Sequence, residues 1–212
     1  MNSLHFPELS RRGLPHFFTL RQAKPPQCAD LPDRLKEEQL PVAMVSAEQV
    51  HGAAVAKVGQ ADVDRVIPQV DALISNEDGL ALVVRVADCG PVWLHCGKTG
   101  AIGLVHSGRK GTELGIVPTA VQAMKREFGA EPACMLAFLG PCIRPPHYDV
   151  DFASEILRQL QREGVAEIVD SGLCTAGEPK RFYSYRREKG KTGRHFAAVA
   201  VKESSIDVRT GA

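Results

Sequence analysis

Three consecutive apolar, β-rich runs at residues 80–86, 92–96 and 101–105, separated by turn signals, limit the architectures open to this chain. They are nearly continuous rather than alternating, so they read as strands covered on both faces, not as a half-solvated sheet. Further strands are predicted at 41–45, 53–58, 70–74, 134–139, 165–169 and 196–201. A helix is predicted over 116–128, where Val117, Ala120, Val121, Met124 and Phe128 share a face and Gly129 can close it. Pro118 is comfortable there only in a first turn, so the helix begins near Gly115 or kinks. A second helix runs from an Asp151 cap through Glu163, with Ile156, Leu157 and Leu160 inward and Gly164 just past its end. Residues 22–41, rich in Pro and charge, read as loop with a short helix. With no internal repeat, low-complexity tract or linker, the expectation is a single mixed α and β domain over residues 1–212.

Bulk chemistry narrows the partners. Apolar residues at 44% and charged residues at 24% are ordinary globular composition. A net charge of +1 gives no global footprint for nucleic acid or an anionic membrane, so any anion must be held locally. The longest apolar stretch, at 79–86, is broken by Arg85 and is too short to span a bilayer. The start, Met1-Asn2-Ser3-Leu4-His5-Phe6-Pro7, lacks the layout of a secretory signal, and the six cysteines show no CxxC spacing. A reduced, cytoplasmic setting is the expectation, with most thiols serving as small core residues.

Three segments carry chemistry: Gln49-Val50-His51-Gly52, Ala87-Asp88-Cys89-Gly90-Pro91 and Val105-His106-Ser107-Gly108-Arg109-Lys110-Gly111. Each sets a ligand or nucleophile beside a Gly or Pro turn, where a fold can gather distant residues over a pocket. Zinc accepts two imidazoles and a thiolate and leaves a fourth position open. Alternatively, Cys89 is a nucleophile with His106 as its base. That pairing needs only one histidine, so His51 at an analogous turn favours the metal. Spacings of 38 and 17 residues also leave open that Cys89 is a core thiol and both histidines are satisfied turn residues. The stretch 107–112, with two glycines and two cations ahead of a helix, is a candidate phosphate or carboxylate cradle; its plain reading is a solvated basic turn. The stretch Phe182-Tyr183-Ser184-Tyr185-Arg186-Arg187 followed by Thr192-Gly193-Arg194-His195 mixes aromatics with cations that can stack on a heterocycle; its plain reading is an edge strand with a charged rim. His95 and Cys96 have opposite strand parity and are read as structural, with His5, His16, Cys28, Cys134 and Cys174. His147 is read as core or rim.

These segments resemble the laccase-domain family, also called YfiH-like proteins or polyphenol oxidases. The resemblance is carried in order by residues 49–52, Asp71-Ala72-Leu73-Ile74-Ser75, 87–91, 105–108 and Leu139-Gly140-Pro141-Cys142-Ile143. Phe17-Phe18-Thr19-Leu20-Arg21 and the tail motifs at 183–187 and 192–194 extend it over nearly the whole chain. The resemblance implies a four-layer α/β/β/α arrangement related to the catalytic domain of cytotoxic necrotizing factor. It also implies zinc held by His51, Cys89 and His106, purine nucleoside phosphorolysis, and adenosine deamination as a companion activity. The older family name implies copper-dependent phenol oxidation, and bacterial relatives are linked to peptidoglycan-precursor editing. A multicopper site needs many more histidines than seven scattered ones without a His-x-His pair.

Two departures stand out. The family's His-Ala-Gly-Trp-Arg-Gly is here His106-Ser107-Gly108-Arg109-Lys110-Gly111, and the Gly-Gly-x-Ser and Asn-Leu-Gly features are absent after Arg21. The expected function is a zinc-dependent purine nucleoside phosphorylase-like enzyme acting on a nucleoside and phosphate. Its candidate substrate and phosphate contacts are Arg21, Gln49, Ser107, Arg109, Lys110, Arg186 and Arg194, and Asp88 is a conceivable proton carrier for deamination. The alternatives are a cysteine amidohydrolase acting on a peptidoglycan-precursor-like amide and a diverged, non-catalytic metal-binding protein.

Overall fold

The computed structural model describes residues 2–201. Twelve strands form two mixed six-stranded sheets. The first sheet runs β1 (Ser3–Leu4), β2 (His16–Thr19), β12 (His195–Ala200), β7 (Ala81–Val86), β3 (Met44–Ala47) and β5 (Val66–Ile67). The second runs β11 (Glu167–Asp170), β10 (Met135–Leu139), β8 (Gly90–Cys96), β9 (Ala101–Ser107), β6 (Ala72–Ser75) and β4 (Val55–Lys57). The helices are α1 (Pro7–Arg11), α2 (Leu31–Glu37), α3 (Arg109–Glu113), α4 (Ile116–Phe128) and α5 (Phe152–Arg162).

The continuous apolar strands are where burial on both faces demands them. Every residue of β8 and β9 is buried. One face, with Val92, Leu94 and Val105, packs under α4 and α5 through Val117, Val121, Met124, Ile156 and Leu160. The opposite face, with Trp93, Ile102 and Leu104, meets Phe18, Leu82, Val84 and Val199 of the first sheet. Trp93 crosses that interface and donates its indole N–H to the Ala198 carbonyl at 3.0 Å. The outer face of the first sheet, with Phe17, Val83 and Phe196, is covered by Leu31 and Leu35 of α2. The stacking thus reads helix, sheet, sheet, helices.

Helix signals hold well because caps act locally. Gly115 and Gly129 flank α4 in the left-handed region at φ 77° and 64°, and Pro118 falls in its first turn. The Asp151 carboxylate accepts the Ser154 N–H at 3.0 Å to open α5. The strand expected at 41–45 starts only at Met44. The 182–195 stretch is not an edge strand: turns and loop run to Arg194, and the strand opens at His195. Strands β1, β2 and β5 carry no expectation from the sequence reading, being short and paired to partners distant in the chain.

Candidate functional site

The β8–β9 hairpin builds half of the site. Its antiparallel register pairs Gly90 with Ser107 and Pro91 with His106, so Cys89, one residue before β8, lies beside the end of β9. Close approach depends on Gly108: a Cβ there would stand 2.4 Å from Cys89 Sγ. The other half comes from Asp71, which leads into β6 beside β9. Its carboxylate accepts the backbone N–H groups of Val50, His51 and Gly52 at 3.1, 2.9 and 2.8 Å, which holds the turn presenting His51. It also lies 2.7 Å from His106 Nδ1. An ionised carboxylate only accepts, so Nδ1 carries the proton and Nε2 is free to face Cys89 and His51.

The two imidazoles meet edge to face with ring centroids 4.8 Å apart. Ligand atoms of His51, Cys89 and His106 all lie within 4.8 Å of one another, the one such cluster of metal-ligating side chains among the described residues. Two nitrogens and a sulfur, with a carboxylate fixing one imidazole from behind, fit a zinc-type centre. Elsewhere, His16 and His195 spend both ring nitrogens internally. Each accepts a backbone N–H at Nε2, from Phe6 and Tyr183, and each donates from Nδ1 to a carbonyl, of Leu14 and Thr19.

The electrostatics favour the charged forms of Cys89 and His106; when His106 takes up a second proton it sits on Nε2, facing Cys89. Burial alone would raise the Cys89 thiol, but hydrogen bonds from His106 and His51 outweigh it and bring it down to about 7. Burial likewise works against the His106 imidazolium, yet Asp71 and Cys89 lift it to about 9. Burial opposes the Asp71 carboxylate too, but His106 and the Gly52 and His51 N–H groups hold it below its ordinary value. Strained backbone gathers here as well: Gln49, His51 and Asp88 have φ of 67°, 60° and 88°, a region that non-glycine residues seldom adopt.

All three residues open onto a cavity of about 1430 Å³. Of the expected substrate contacts, Gln49, Arg109, Lys110, Arg186 and Arg194 line it, while Arg21 and Ser107 do not. Ser107 is fully buried and its hydroxyl is shared with Thr112 at 2.8 Å, so it supports the turn from beneath. Arg21 is ion-paired with Glu188 and lies over the Tyr183 ring, 4.8 Å from its centroid. It braces the 182–188 loop. The Gln49 amide is occupied by the backbone of Arg85, at 2.6 and 2.8 Å. Most of the 107–112 stretch lies within α3, which is only five residues long. It therefore contributes cations rather than a helix dipole. Asp88 is no free proton carrier: its carboxylate accepts the Thr175 hydroxyl at 2.6 Å and the Arg186 N–H at 2.7 Å.

The sequence alone assigns no role to Asp71, Tyr148 or Glu188, while Tyr185 belongs to the 182–187 stretch read as a mix of aromatics and cations. Arg186 lies over the Tyr148 ring and Arg194 over the Tyr185 ring, each 5.5 Å from the centroid. Glu188 gathers Arg21, the Ser184 N–H and the Thr192 hydroxyl. The sequence signal for Asp71 is a lone carboxylate heading the short, fully buried strand Ala72–Ser75.

Comparison with known proteins shows the family and the fold. The model of the family described as multi-copper polyphenol oxidoreductase laccase matches residues 29–156 and 147–202. A purine nucleoside phosphorylase of Streptomyces coelicolor is 37% identical, over 73% of each chain. The purine nucleoside phosphorylase YlmD of Bacillus subtilis is 30% identical, over 76% of this chain and 71% of its own. The crystal structure of YlmD from Geobacillus stearothermophilus superposes with a TM-score of 0.86 at 25% identity, covering 96% of this chain and 97% of that one. Among the described residues no helix is long and apolar enough to cross a membrane. The chain belongs to the laccase-like family of YfiH and YlmD proteins.

Proposed function

We propose that this protein is a zinc-dependent purine nucleoside phosphorylase, with adenosine deamination as a companion activity. The observation that carries the reading is the convergence of His51, Cys89 and His106 on a cavity whose wall also presents Arg109 and Lys110. The names of the relatives support a nucleoside substrate. His51, Cys89 and His106 would hold the metal, which when bound supplies Lewis-acid stabilisation of developing negative charge. Asp71 fixes the His106 tautomer and the His51 turn, so the donor set is preorganised. Arg109 and Lys110 offer orthophosphate its counter-charge, and holding the two reactants together supplies orientation that free solution lacks. Tyr148 and Tyr185 offer aromatic surface beside the base.

Phosphorolysis is tested by incubating zinc-loaded protein with inosine, with and without orthophosphate. Free hypoxanthine and ribose 1-phosphate are expected only with phosphate. Phosphate-independent release would reassign the enzyme as a hydrolase.

A second reading rests on one specific observation. Cys89, His106 and Asp71 stand in the order nucleophile, base and orienting carboxylate, with the thiol lowered and the imidazole raised. This supports a cysteine amidohydrolase. Stoichiometric zinc that blocks alkylation of Cys89 would exclude it.

A further inference from the structure

Charge is distributed unevenly around the cavity. Although the whole chain carries only +1, Arg85, Arg109, Lys110, Arg186, Lys189 and Arg194 all line this one cavity. The lining carboxylates are Glu48 and Asp88, and both are occupied. Glu48 accepts the Gln69 backbone N–H at 2.7 Å and its amide at 3.1 Å, while Asp88 is held by Thr175 and Arg186 as described above.

Little neutralises the cations in turn. Arg109 is paired with Glu113 at 2.8 Å. The ammonium groups of Lys110 and Lys189 have no hydrogen-bonding or ion-pair partner among the described residues. Besides lying over the Tyr185 ring, the Arg194 guanidinium donates only to the Thr192 and Gly193 carbonyls among the described residues, at 3.3 and 3.1 Å, and has no carboxylate partner there. The Arg186 guanidinium has as its ion-pair partner among the described residues Asp149, at 3.8 Å and on a side chain 91% exposed. Such a pair is worth little in water.

One orthophosphate dianion does not use up this much positive charge. Unbalanced like charges in a single cavity repel one another, and a polyanion bound among them relieves that repulsion. The cavity is also larger than the roughly 300–1,000 Å³ usual for small-molecule sites. We infer, building on the phosphorylase reading, that the cavity takes purine nucleoside 5′-phosphates in preference to uncharged nucleosides. Arg186, Lys189 and Arg194 hold the 5′-phosphate while Arg109 and Lys110 hold the attacking orthophosphate. In the reaction an orthophosphate oxygen forms a bond to C1′ and the C1′–N9 bond breaks with its electron pair on the base. The proton of hydrogen phosphate ends on that base. The products are free purine and ribose 1,5-bisphosphate.

The test uses zinc-loaded protein in phosphate-free, low-salt buffer and compares inosine with inosine 5′-monophosphate by calorimetry. The monophosphate is expected to bind at least about ten-fold more tightly, the gain from one well-made charge-assisted hydrogen bond. The advantage should shrink as salt is added. The Arg186→Gln/Lys189→Gln double variant should bring the ratio to within about three-fold. Equal affinity, or a ratio indifferent to the double variant, overturns the inference. Base release with added orthophosphate separates the two readings. Cleavage of inosine with no gain for the monophosphate retires the inference and keeps the phosphorylase. If neither compound is cleaved, the phosphorylase reading fails and the binding ratio alone decides which class the cavity takes.

Discussion

Asp71 and His106 are bound to each other twice: the carboxylate lies 2.7 Å from Nδ1, and the Asp71 carbonyl accepts the His106 backbone N–H at 2.7 Å. Because the same carboxylate caps the His51 turn, one buried side chain sets the separation of both imidazoles. Asp71→Asn keeps the shape but turns an N–H₂ toward donors. Zinc affinity, measured by competition with a chelator, is expected to fall about 10–100-fold. Stability should fall by about 3–5 kcal/mol, as when one partner of a buried pair is removed. Retained affinity in a folded variant would show that Asp71 does not orient the ligands.

Gly108→Ala isolates geometry from chemistry. The backbone there is extended at φ −97°, so alanine brings no conformational strain, only a Cβ 2.4 Å from Cys89 Sγ. The thiol must rotate away from the two histidines. Metal retention is expected to drop about ten-fold or more, while unfolding shows a loss of about 1–3 kcal/mol. Equal losses in Gly97→Ala, where φ is not positive and a Cβ would meet nothing closer than 3.8 Å, would refute the steric account.

Cysteine reactivity should be selective. In metal-free protein, iodoacetamide modification of Cys89 is expected to rise with a midpoint near pH 7, where its thiol titrates, because the thiolate is the nucleophile. Cys142, pushed up to about 12 by burial, should stay unmodified. Peptide mapping by mass spectrometry reads both sites. Removing Asp71 weakens the His106 imidazolium and should move the Cys89 midpoint upward.

Stability should also depend on a histidine outside the His51–Cys89–His106 cluster. Burial lowers His195 to about 4, outweighing its Thr19 contact, and its Nε2 accepts the Tyr183 N–H at 2.8 Å, a bond that only the neutral ring can keep. The unfolded chain takes up this proton near pH 6.5, so between about 6.5 and 4 the unfolded state binds more protons. The contribution is therefore complete above pH 6.5 and is lost as pH falls towards 4. It amounts to about 2 kcal/mol between pH 7 and 5. Burial lowers His16 as well, so it acts in the same direction. Urea midpoints at the two pH values test the loss, and an NMR titration of His195 near neutrality would contradict its assigned cause.

What the sequence by itself determined was local. The α4 and α5 helices, their glycine stops and the Asp151 cap are set by residues within a few positions of each other, and the unbroken apolar character of β8 and β9 already required cover on both faces. The His51, Cys89 and His106 segments were legible because each sits beside a Gly or Pro turn. Tertiary structure alone decided which neighbours serve them. Asp71 joins His106 across 35 residues and Asp88 joins Thr175 across 87, separations that no pattern within a segment encodes. The same limit explains Arg21 and Ser107. Their residue types suit an anion, but an ion pair to Glu188 and complete burial against Thr112 turn them into supports. Side-chain chemistry is written in the sequence, whereas its availability depends on what packing places opposite it.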